Sequence, residues 1–268
     1  MKNALTIAGS DSCGGAGIQA DLKSFSANGV YGMSVITAIT AQNTQGVFGI
    51  EDISPEIIKK QINVIFDDIH VNAIKIGMVS KIESIKAIGE SLRKIKELPP
   101  IVLDPVMVSK SGFNLLSKDA KDTLIKELFP LALIITPNLP EAEEILQRKI
   151  ETLEDMRESA KKLIKLGPKY VLIKGGHLEK DAMDILYDGE NFIELTGERI
   201  NTIHTHGTGC TLSSAIAANL AKGDSVEIAV KKAKDYITIA IKNSFKLGKG
   251  VGPTNHFYKL YKDAGIIE

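Results

Sequence analysis

Short apolar runs alternate with longer amphipathic segments along most of the chain, and this alternation constrains the fold more than any other sequence feature. Strands are predicted at residues 4–8, 34–38, 73–76, 101–103, 133–135 and 170–173. Helices are predicted through residue 28 after a glycine-rich run at 9–17, and at 55–68, 81–95, 118–128, 140–146 and 153–165. Unbroken apolar strands separated by helices are typical of a parallel sheet covered on both faces. The pattern predicts an α/β fold with a mainly parallel central sheet.

The last third of the chain has a different pattern. Residues 182–187 and 191–195 are separated by Asp-Gly-Glu, which predicts a hairpin and therefore antiparallel strands at one edge of the sheet. Helices are predicted at 210–222 and 225–244, followed by a glycine-rich tail and a terminal helix. Because neither a linker nor a clear repeat interrupts the sequence, we expect a single domain over residues 1–268.

Charge and composition argue against several classes of function. Lys plus Arg and Asp plus Glu both number 33, so the formal net charge is zero and gives no electrostatic reason to expect nucleic acid or an anionic membrane as a partner. The apolar stretch at residues 1–8 is too short for a signal peptide or a membrane span, so a cytoplasmic protein is expected. Cys13 and Cys210 both lie in glycine-rich segments, which argues against a disulfide scaffold or a structural zinc site.

The strongest chemical signal is the sequence Thr-His-Gly-Thr-Gly-Cys at 205–210, which precedes a helix of small residues. Gly207 and Gly209 allow a tight turn, and backbone amides at a helix start bind phosphate. Cys210 would lie near that helix N-terminus, where the dipole lowers a thiol pKa, and is therefore placed to act as a base. Alternatively, the glycines only make a sharp loop and Cys210 is a small buried helix residue.

A second glycine-rich segment, at 7–21, follows the first predicted strand. In α/β proteins small ligands commonly bind at this position, beyond the carboxyl end of a parallel strand. The glycine spacing does not match a dinucleotide fingerprint, and the segment lacks the Gly-Lys-Ser/Thr ending of a P-loop. The segment therefore indicates a ligand site, with the phosphates held elsewhere.

Together, these segments resemble the hydroxymethylpyrimidine and phosphomethylpyrimidine kinases. The resemblance extends from about residue 4 to about residue 257, in motifs at 8–11, 14–23, 41–44, 75–78, 136–141, 174–177 and 206–210. It implies a ribokinase-like three-layer α/β/α sandwich and the use of ATP with Mg²⁺. It also implies two successive phosphorylations in thiamine synthesis, first of the hydroxymethyl alcohol and then of its monophosphate.

The resemblance implies a role for each residue of the phosphate loop. Most ribokinase relatives have an aspartate base where this chain has Cys210, so a thiolate would deprotonate the substrate hydroxyl. Gly207, Thr208 and Gly209 would form the anion hole for the moving phosphoryl group, while His206 could simply shape the loop. Lys174 would approach the ATP phosphates; alternatively, it is a solvated lysine at a strand end.

Three residues are expected to position magnesium. Asn138 and Glu141 match the Asn-x-x-Glu pattern of the superfamily, and their oxygen ligands suit this ion. The same two residues would also be found where Asn138 and Pro140 merely begin a helix with Glu141 in its first turn. Asp104, at the end of a predicted strand, could join the acidic site or only cap the next loop.

The resemblance also implies a substrate pocket and a nucleotide site. An aminopyrimidine requires donors and acceptors matched to its edge, which the amide of Gln42 supplies. The predicted substrate-binding residues are Gln42, Asp21, Gly9, Met78 and Val106, with core packing as the alternative for Met78. The predicted nucleotide-binding residues are Lys174, Thr208, Lys234 and Gly250; the tail that contains Gly250 could equally be a simple turn.

Two rival functions stay open at this point. A pyridoxine or pyridoxal kinase would have the same fold, although Gln42 and Met78 favour a pyrimidine. A noncatalytic pyrimidine-binding sensor could also have this fold, because fold does not determine activity; Cys210, Lys174 and the complete anion loop argue against it. A homodimer is expected from the resemblance alone.

Overall fold

The computed structural model describes residues 1–107, 116–176 and 183–268, in which nine strands form one sheet in the order β3-β2-β1-β4-β5-β6-β7-β8-β9. The strands are β1 (Asn3–Asp11), β2 (Tyr31–Asn43), β3 (Gly46–Asp52), β4 (Ala73–Ile76), β5 (Ile101–Leu103), β6 (Ile134–Ile135), β7 (Tyr170–Ile173), β8 (Asp184–Tyr187) and β9 (Phe192–Leu195). The six strands from β2 to β7 in this order are parallel. Antiparallel pairing adds β3 at one edge and β8 with β9 at the other.

Helices cover both faces of this sheet. They are α1 (Gly17–Ala27), α2 (Pro55–Asp68), α3 (Ile82–Arg93), α4 (Lys118–Leu128), α5 (Leu139–Leu146), α6 (Leu153–Leu163), α7 (Thr208–Ala221), α8 (Val226–Lys242) and α9 (Tyr258–Asp263). The apolar side chains of α1, α7 and α8 pack in one core cluster, and those of α2 to α6 pack in a second cluster on the opposite face. The three layers are therefore helix, sheet and helix.

Strand side chains explain why both faces must be covered. Successive residues of a strand point to opposite faces, and Ala4 belongs to one core cluster while its neighbour Leu5 belongs to the other. The same division separates Ala73 from Ile74. Because both faces are apolar, the strands have no polar alternation, which is the pattern that predicted a parallel sheet.

The fold class is confirmed, with differences at the edges. The predicted strands at 73–76, 101–103 and 170–173 and the predicted helices at 55–68 and 118–128 have the bounds that the structure shows. The sequence analysis did not predict β3 and gave too short a β2, so antiparallel strands lie at two edges instead of one. Part of the predicted hairpin, residue 182, lies outside the described residues.

The physical reason for the missed edge is the composition of β3. This strand contains two glycines, and much of it is exposed, so neither hydrophobic alternation nor strand propensity marks it. Its structure depends on pairing with β2, for example of Thr40 with Ile50.

None of the described helices is long and apolar enough to cross a membrane.

Candidate active site

A cavity of about 940 Å³ opens at the carboxyl ends of the parallel strands. Five polar side chains at or just beyond strand ends line it, namely Asp11, Gln42, Asp104, Asn138 and Lys174. Its volume is in the range of about 300 to 1,000 Å³ that is typical of small-molecule sites. The β1 strand pairs with β2 on one side and β4 on the other, so the cavity is next to the point where the strand order reverses.

Most of the predicted site residues meet in this cavity. Its lining includes Gly9, Gln42, Met78, Asp104, Val106, Asn138, Glu141, Lys174, Gly207, Thr208, Gly209, Cys210 and Lys234. Asp21 and Gly250 do not line it. The cavity therefore brings together residues from the whole length of the described chain, in agreement with a single ligand site.

The loop before α7 is locked against the first glycine-rich loop. Gly207 is the N-cap of α7 and has a φ of 76°, a left-handed conformation that favours glycine. A Cβ on Gly207 would lie 1.7 Å from the carbonyl oxygen of Gly15, so a side chain has no space there. The positive end of the α7 dipole consequently faces the cavity, where it favours an anion.

Cys210 lies in the first turn of α7 and lines the cavity. Burial raises the pKa of the Cys210 thiol to about 11; the charge of Lys75 opposes this shift, the carboxylates of Asp21 and Asp104 add to it, and the Gly17 backbone N–H opposes it. The sequence-based expectation that the helix dipole lowers this pKa is therefore wrong for the ligand-free protein. At neutral pH the group is a thiol, because desolvation outweighs the favourable charges.

Lys174 and Asp104 form an ion pair at the wall of the cavity. Nζ of Lys174 is 2.8 Å from Oδ1 of Asp104, which also accepts a hydrogen bond of 3.0 Å from the Thr136 hydroxyl. Burial opposes the charge on Lys174, but Asp104 and Glu141 raise its pKa above the usual value. Both side chains are within van der Waals reach of a Cβ position at Gly209. A fixed positive charge therefore lies beside the anion loop.

Asn138 and Glu141 adopt the helix-capping arrangement, while their predicted magnesium role stays a prediction. Oδ1 of Asn138 accepts a hydrogen bond from the Glu141 backbone N–H at 2.9 Å, and Oε2 of Glu141 accepts one from the Asn138 backbone N–H at 2.8 Å. This capping box begins α5. Since Asn138, Glu141 and Asp104 also line the cavity, their oxygens form a donor set that suits a hard cation such as Mg²⁺.

Asp11 organises the loop after β1 and contacts the α7 loop. Its carboxylate accepts hydrogen bonds from the backbone N–H groups of Cys13, Gly15 and Ala16 at 2.8–3.1 Å, and its Oδ2 lies 2.7 Å from Nε2 of His206. Burial would raise the pKa of Asp11, but the hydrogen bond and charge of His206, together with the other donors, lower it to about 2. Asp11 is therefore ionised, and Nε2 of His206 carries a proton.

This proton determines how the Gln42 amide must be oriented. As placed, Nε2 of the Gln42 amide lies 3.4 Å from Nε2 of His206, and Oε1 lies 3.3 Å from the Thr40 hydroxyl oxygen, so two N–H groups face each other. Thr40 has one hydroxyl proton, for which the Ser10 carbonyl at 2.9 Å is the nearer acceptor. Turning the amide by 180°, which exchanges its oxygen and nitrogen, would therefore let its NH₂ donate to Thr40 and its oxygen accept from His206. Gln42 lies in β2 rather than in a loop, which fixes it further.

The prediction for Asp21 needs correction, whereas the nucleotide-binding role of Gly250 stays a prediction. Asp21 is fully buried, and its carboxylate accepts hydrogen bonds from Thr6, Lys75 and Ser214, so it cannot contact a ligand in the cavity. Its position on the buried side of α1 is the physical reason, because α1 packs against both the sheet and α7. The backbone N–H of Gly250 instead donates to the Thr44 hydroxyl at 3.1 Å.

The sequence analysis missed three charged groups. It assigned no role to Asp11 or to Lys75, although both lie in motifs that carried the resemblance. Asp184, which also lines the cavity, pairs with Lys234 at 2.5 Å and accepts from the Gly175 N–H at 2.9 Å. One signal for Lys75 was present, because a lysine inside the apolar strand Ala-Ile-Lys-Ile is a buried charge that needs a partner.

Comparison with known proteins gives consistent matches. The family model described as phosphomethylpyrimidine kinase matches residues 11–255. The hydroxymethylpyrimidine/phosphomethylpyrimidine kinase of Rhizobium meliloti is 52% identical over 97% of this chain and 98% of its own length. The crystal structure of phosphomethylpyrimidine kinase from Clostridium difficile 630 is 56% identical with a TM-score of 0.81, and it covers 90% of this chain and 100% of its own.

A pyridoxal kinase is also similar. The crystal structure of an ADP complex of Bacillus subtilis pyridoxal kinase has a TM-score of 0.89 and 43% identity, and it covers 97% of this chain and 99% of its own. Similarity of fold therefore does not distinguish a pyrimidine from a pyridine substrate.

Proposed function

The chain belongs to the phosphomethylpyrimidine kinase family, and on that premise we propose that it phosphorylates hydroxymethylpyrimidine with ATP and then phosphorylates the monophosphate, in thiamine synthesis. The observation that carries this proposal is the composition of one cavity. The anion loop, Cys210 and Lys174 line one part of it, and Gln42 and Met78 line another. A phosphate donor and a small flat alcohol would thus meet in the same space.

Transfer of a phosphoryl group depends mainly on positioning and on neutralising charge. Lys174 and the backbone N–H groups at the α7 N-terminus would stabilise the negative charge on the phosphoryl oxygens. Lys234 lines the same cavity and is suited to the nucleotide side. Magnesium would be held by Asp104, Glu141 and Asn138, and when bound it supplies positive charge to the phosphates.

Cys210 is proposed as the base. The substrate hydroxyl proton would move to the Cys210 sulfur as the oxygen forms its bond to the γ-phosphorus and the bond from that phosphorus to the bridging oxygen breaks, releasing ADP; the thiolate is therefore the active form. Because burial raises the pKa of Cys210 to about 11, the thiolate fraction increases with pH. We expect kcat/KM to rise by about tenfold per pH unit over the neutral to alkaline range where Cys210 limits the rate.

The substrate pocket would hold the pyrimidine between Gln42 and Met78. A Cβ at Gly9 would lie 3.1 Å from the methyl carbon of Met78, so the glycine leaves room for this thioether, which can lie against a ring. Gln42 offers one donor and one acceptor to the heterocycle edge. Val106 lines the same cavity. Pyridoxal is a second candidate substrate, because a pyridoxal kinase shares the fold at 43% identity.

The remaining expectations rest on the same premise. A cytoplasmic location suits an enzyme that uses ATP for vitamin synthesis, and a single domain suits the one nine-stranded sheet that the described residues form. A homodimer is supported by apolar side chains exposed on the β2–β3 edge, where Phe48 is 72% and Ile39 50% exposed. Sedimentation velocity measures the oligomeric state.

The test is phosphate transfer from magnesium ATP to hydroxymethylpyrimidine, its monophosphate and pyridoxal in parallel. We expect product from both pyrimidines and a loss of about 10²- to 10⁴-fold in kcat for Cys210→Ala. A preference for pyridoxal would move the assignment to a vitamin B6 kinase. Unchanged activity in Cys210→Ala would remove Cys210 from the mechanism.

A further inference from the structure

Lys75 and Asp21 form an ion pair that is sealed inside the protein. Nζ of Lys75 lies 2.9 Å from both carboxylate oxygens of Asp21, and both side chains are 0% exposed. The Thr6 hydroxyl donates to Oδ2 and the Ser214 hydroxyl donates to Oδ1, each at 2.6 Å. Four hydrogen bonds therefore fix the Asp21 carboxylate in one orientation.

Stability alone does not explain such a pair. Burying two charges carries a desolvation penalty, and well-packed apolar residues of similar volume often stabilise a protein equally well or better. Neither Lys75 nor Asp21 lines the cavity, so neither can contact a ligand in it. The pair must therefore act on a neighbour if it has a role in the reaction.

The position of the pair identifies that neighbour. Ser214 follows Cys210 by four residues in α7, so both side chains lie on the same helix face. That face is directed toward Asp21, since Ser214 donates to it, and α7 packs on β4, which carries Lys75. Space for the ammonium depends on Gly77, where a Cβ would lie 2.6 Å from Nζ of Lys75.

We propose that Lys75 and Asp21 are positioning residues for Cys210. In this arrangement Asp21 holds the Lys75 ammonium beneath the thiol, and the positive charge of the ammonium favours the thiolate. The proposal rests on the base role of Cys210 in the proposed function. It explains why a lysine occupies a strand interior and why four hydrogen bonds immobilise its partner.

Four charged groups and one dipole act on Cys210 from the surrounding elements. Lys75 on β4 and Lys174 at the end of β7 interact favourably with the thiolate, as does the Gly17 backbone N–H, whereas Asp21 on α1 and Asp104 after β5 oppose it. The effect of Lys75 on Cys210 is larger than that of Asp21. Removing both members of the pair should therefore disfavour the thiolate, whereas removing the Asp21 charge alone should favour it.

The experiment measures the reactivity of Cys210 directly in the ligand-free protein. Cys13→Ser leaves Cys210 as the only cysteine of the chain, since the sequence contains two. The rate of alkylation by iodoacetamide is followed by mass spectrometry from about pH 7 to pH 10.5, where the thiolate is the reacting form. The same rates are then measured with Asp21→Asn/Lys75→Met and with Asp21→Asn in this background.

The two variants should move in opposite directions. We expect the charge-free double variant to react about tenfold more slowly at a given pH, which corresponds to about one unit in the pKa of Cys210. Asp21→Asn should react several-fold faster, because Lys75 then has the thiolate as its counter-charge. Because the double variant removes both charges and leaves no unpaired buried charge, it provides the test even if the single variant fails to fold.

A matched control removes a different Asp–Lys pair. Asp224→Asn/Lys232→Met eliminates a partly exposed pair that does not line the cavity, and it should leave the alkylation rate within about twofold of the parent. Equal rates in the parent and both test variants, or a shift of both in one direction, would overturn the proposal. Alkylation needs neither ATP nor a pyrimidine, so failure of the proposed kinase activity is detected separately, by the transfer assay.

Discussion

Two Asp–Lys pairs lie close together at the carboxyl end of the sheet, and they differ chiefly in their access to the cavity. Lys174 and Asp104 are 2.8 Å apart, and the lysine side chain, 14% exposed, lines the cavity. Lys75 and Asp21 are 2.9 Å apart, and both side chains are 0% exposed. The residue types and the distances are nearly the same, so access alone separates the two pairs.

This difference in access indicates that the two ion pairs have different functions. A lysine that faces a cavity can exchange part of its contact with a carboxylate for contact with a phosphate, because water and ligand reach it. A sealed lysine cannot exchange partners without an energetic penalty of several kcal/mol, so its charge stays in one place throughout a reaction. The open pair therefore suits ligand binding, and the sealed pair suits a fixed electrostatic field on a neighbour such as Cys210.

The largest effect is expected for stability. Lys75→Met leaves the Asp21 carboxylate buried without its counter-charge and should lower the free energy of unfolding by about 3–5 kcal/mol. Lys174→Met should cost only about 1 kcal/mol, because water in the cavity can approach Asp104 in place of the ammonium. Urea-induced unfolding, followed by circular dichroism, measures both values.

The double variant Asp21→Asn/Lys75→Met is the control for this prediction, since it removes both charges and should recover most of the lost stability. If Lys174→Met were as destabilising as Lys75→Met, the two pairs would be energetically equivalent, and the distinction based on access would be wrong.

A third buried ionisable group extends the comparison to a case without a counter-charge. His256, 6% exposed, has its Nε2 3.0 Å from the hydroxyl oxygen of Thr211, the residue that follows Cys210 in α7. Thr211 donates its own proton to the Gly207 carbonyl at 2.8 Å, so His256 must be the donor between them. Burial, together with the charge of Lys23, lowers the pKa of His256 to about 4.

The pH dependence follows from that shift. An unfolded histidine has a pKa near 6.5, so between pH 6.5 and 4 the unfolded chain binds a proton that the folded protein does not. Stability should therefore fall as the pH decreases through this range, by up to about 3 kcal/mol from this group, and the effect should level off below pH 4. Unfolding of the wild type and of His256→Gln, measured at pH 4 to 8, gives the difference. Parallel curves for the two proteins would contradict it.

The sequence was sufficient to predict the central parallel strands of the sheet but not all of its edge strands. Apolar runs such as Ala-Ile-Lys-Ile at β4 identify buried parallel strands because both faces of the sheet are covered. The β3 strand, which has two glycines and much exposed surface, was missed because its structure depends on pairing with β2. Local patterns record burial, whereas this exposed edge strand depends on pairing with β2, which ends just before it along the chain.

Prediction of the candidate site from local sequence patterns has the same limit. Motif matches located the cavity residues, since each motif ends a strand or begins a helix at the same side of the sheet. They did not show that Asp21 is directed into the core rather than the cavity, because helix rotation is set by packing against α7. Nor did a cysteine at a helix N-terminus reveal that burial raises its pKa. The competition between desolvation and charge is a property of three-dimensional surroundings.

The smallest effect on activity is expected for substitutions at the cavity rim, where the contacts are polar and either uncharged or partly exposed. With its own proton donated to Ser10, Thr40 can accept a hydrogen bond from the Gln42 amide when the amide is turned so that its NH₂ faces the hydroxyl. Thr40→Val removes this acceptor at nearly constant volume, so the amide of Gln42 should become free to rotate. We expect KM for hydroxymethylpyrimidine to rise by about five- to tenfold, which corresponds to about 1 kcal/mol for one hydrogen bond.

Because the contact acts on substrate orientation, kcat should change little, and Thr40→Ser, which keeps the hydroxyl, should restore KM. Steady-state kinetics at saturating ATP separates the two parameters. A fall in kcat at constant KM would instead place Thr40 among the groups that act on the transferring phosphoryl group. Equal KM values for the valine and serine variants would show that the Gln42 amide is oriented by His206 alone, whose protonated Nε2 is held by the ionised Asp11.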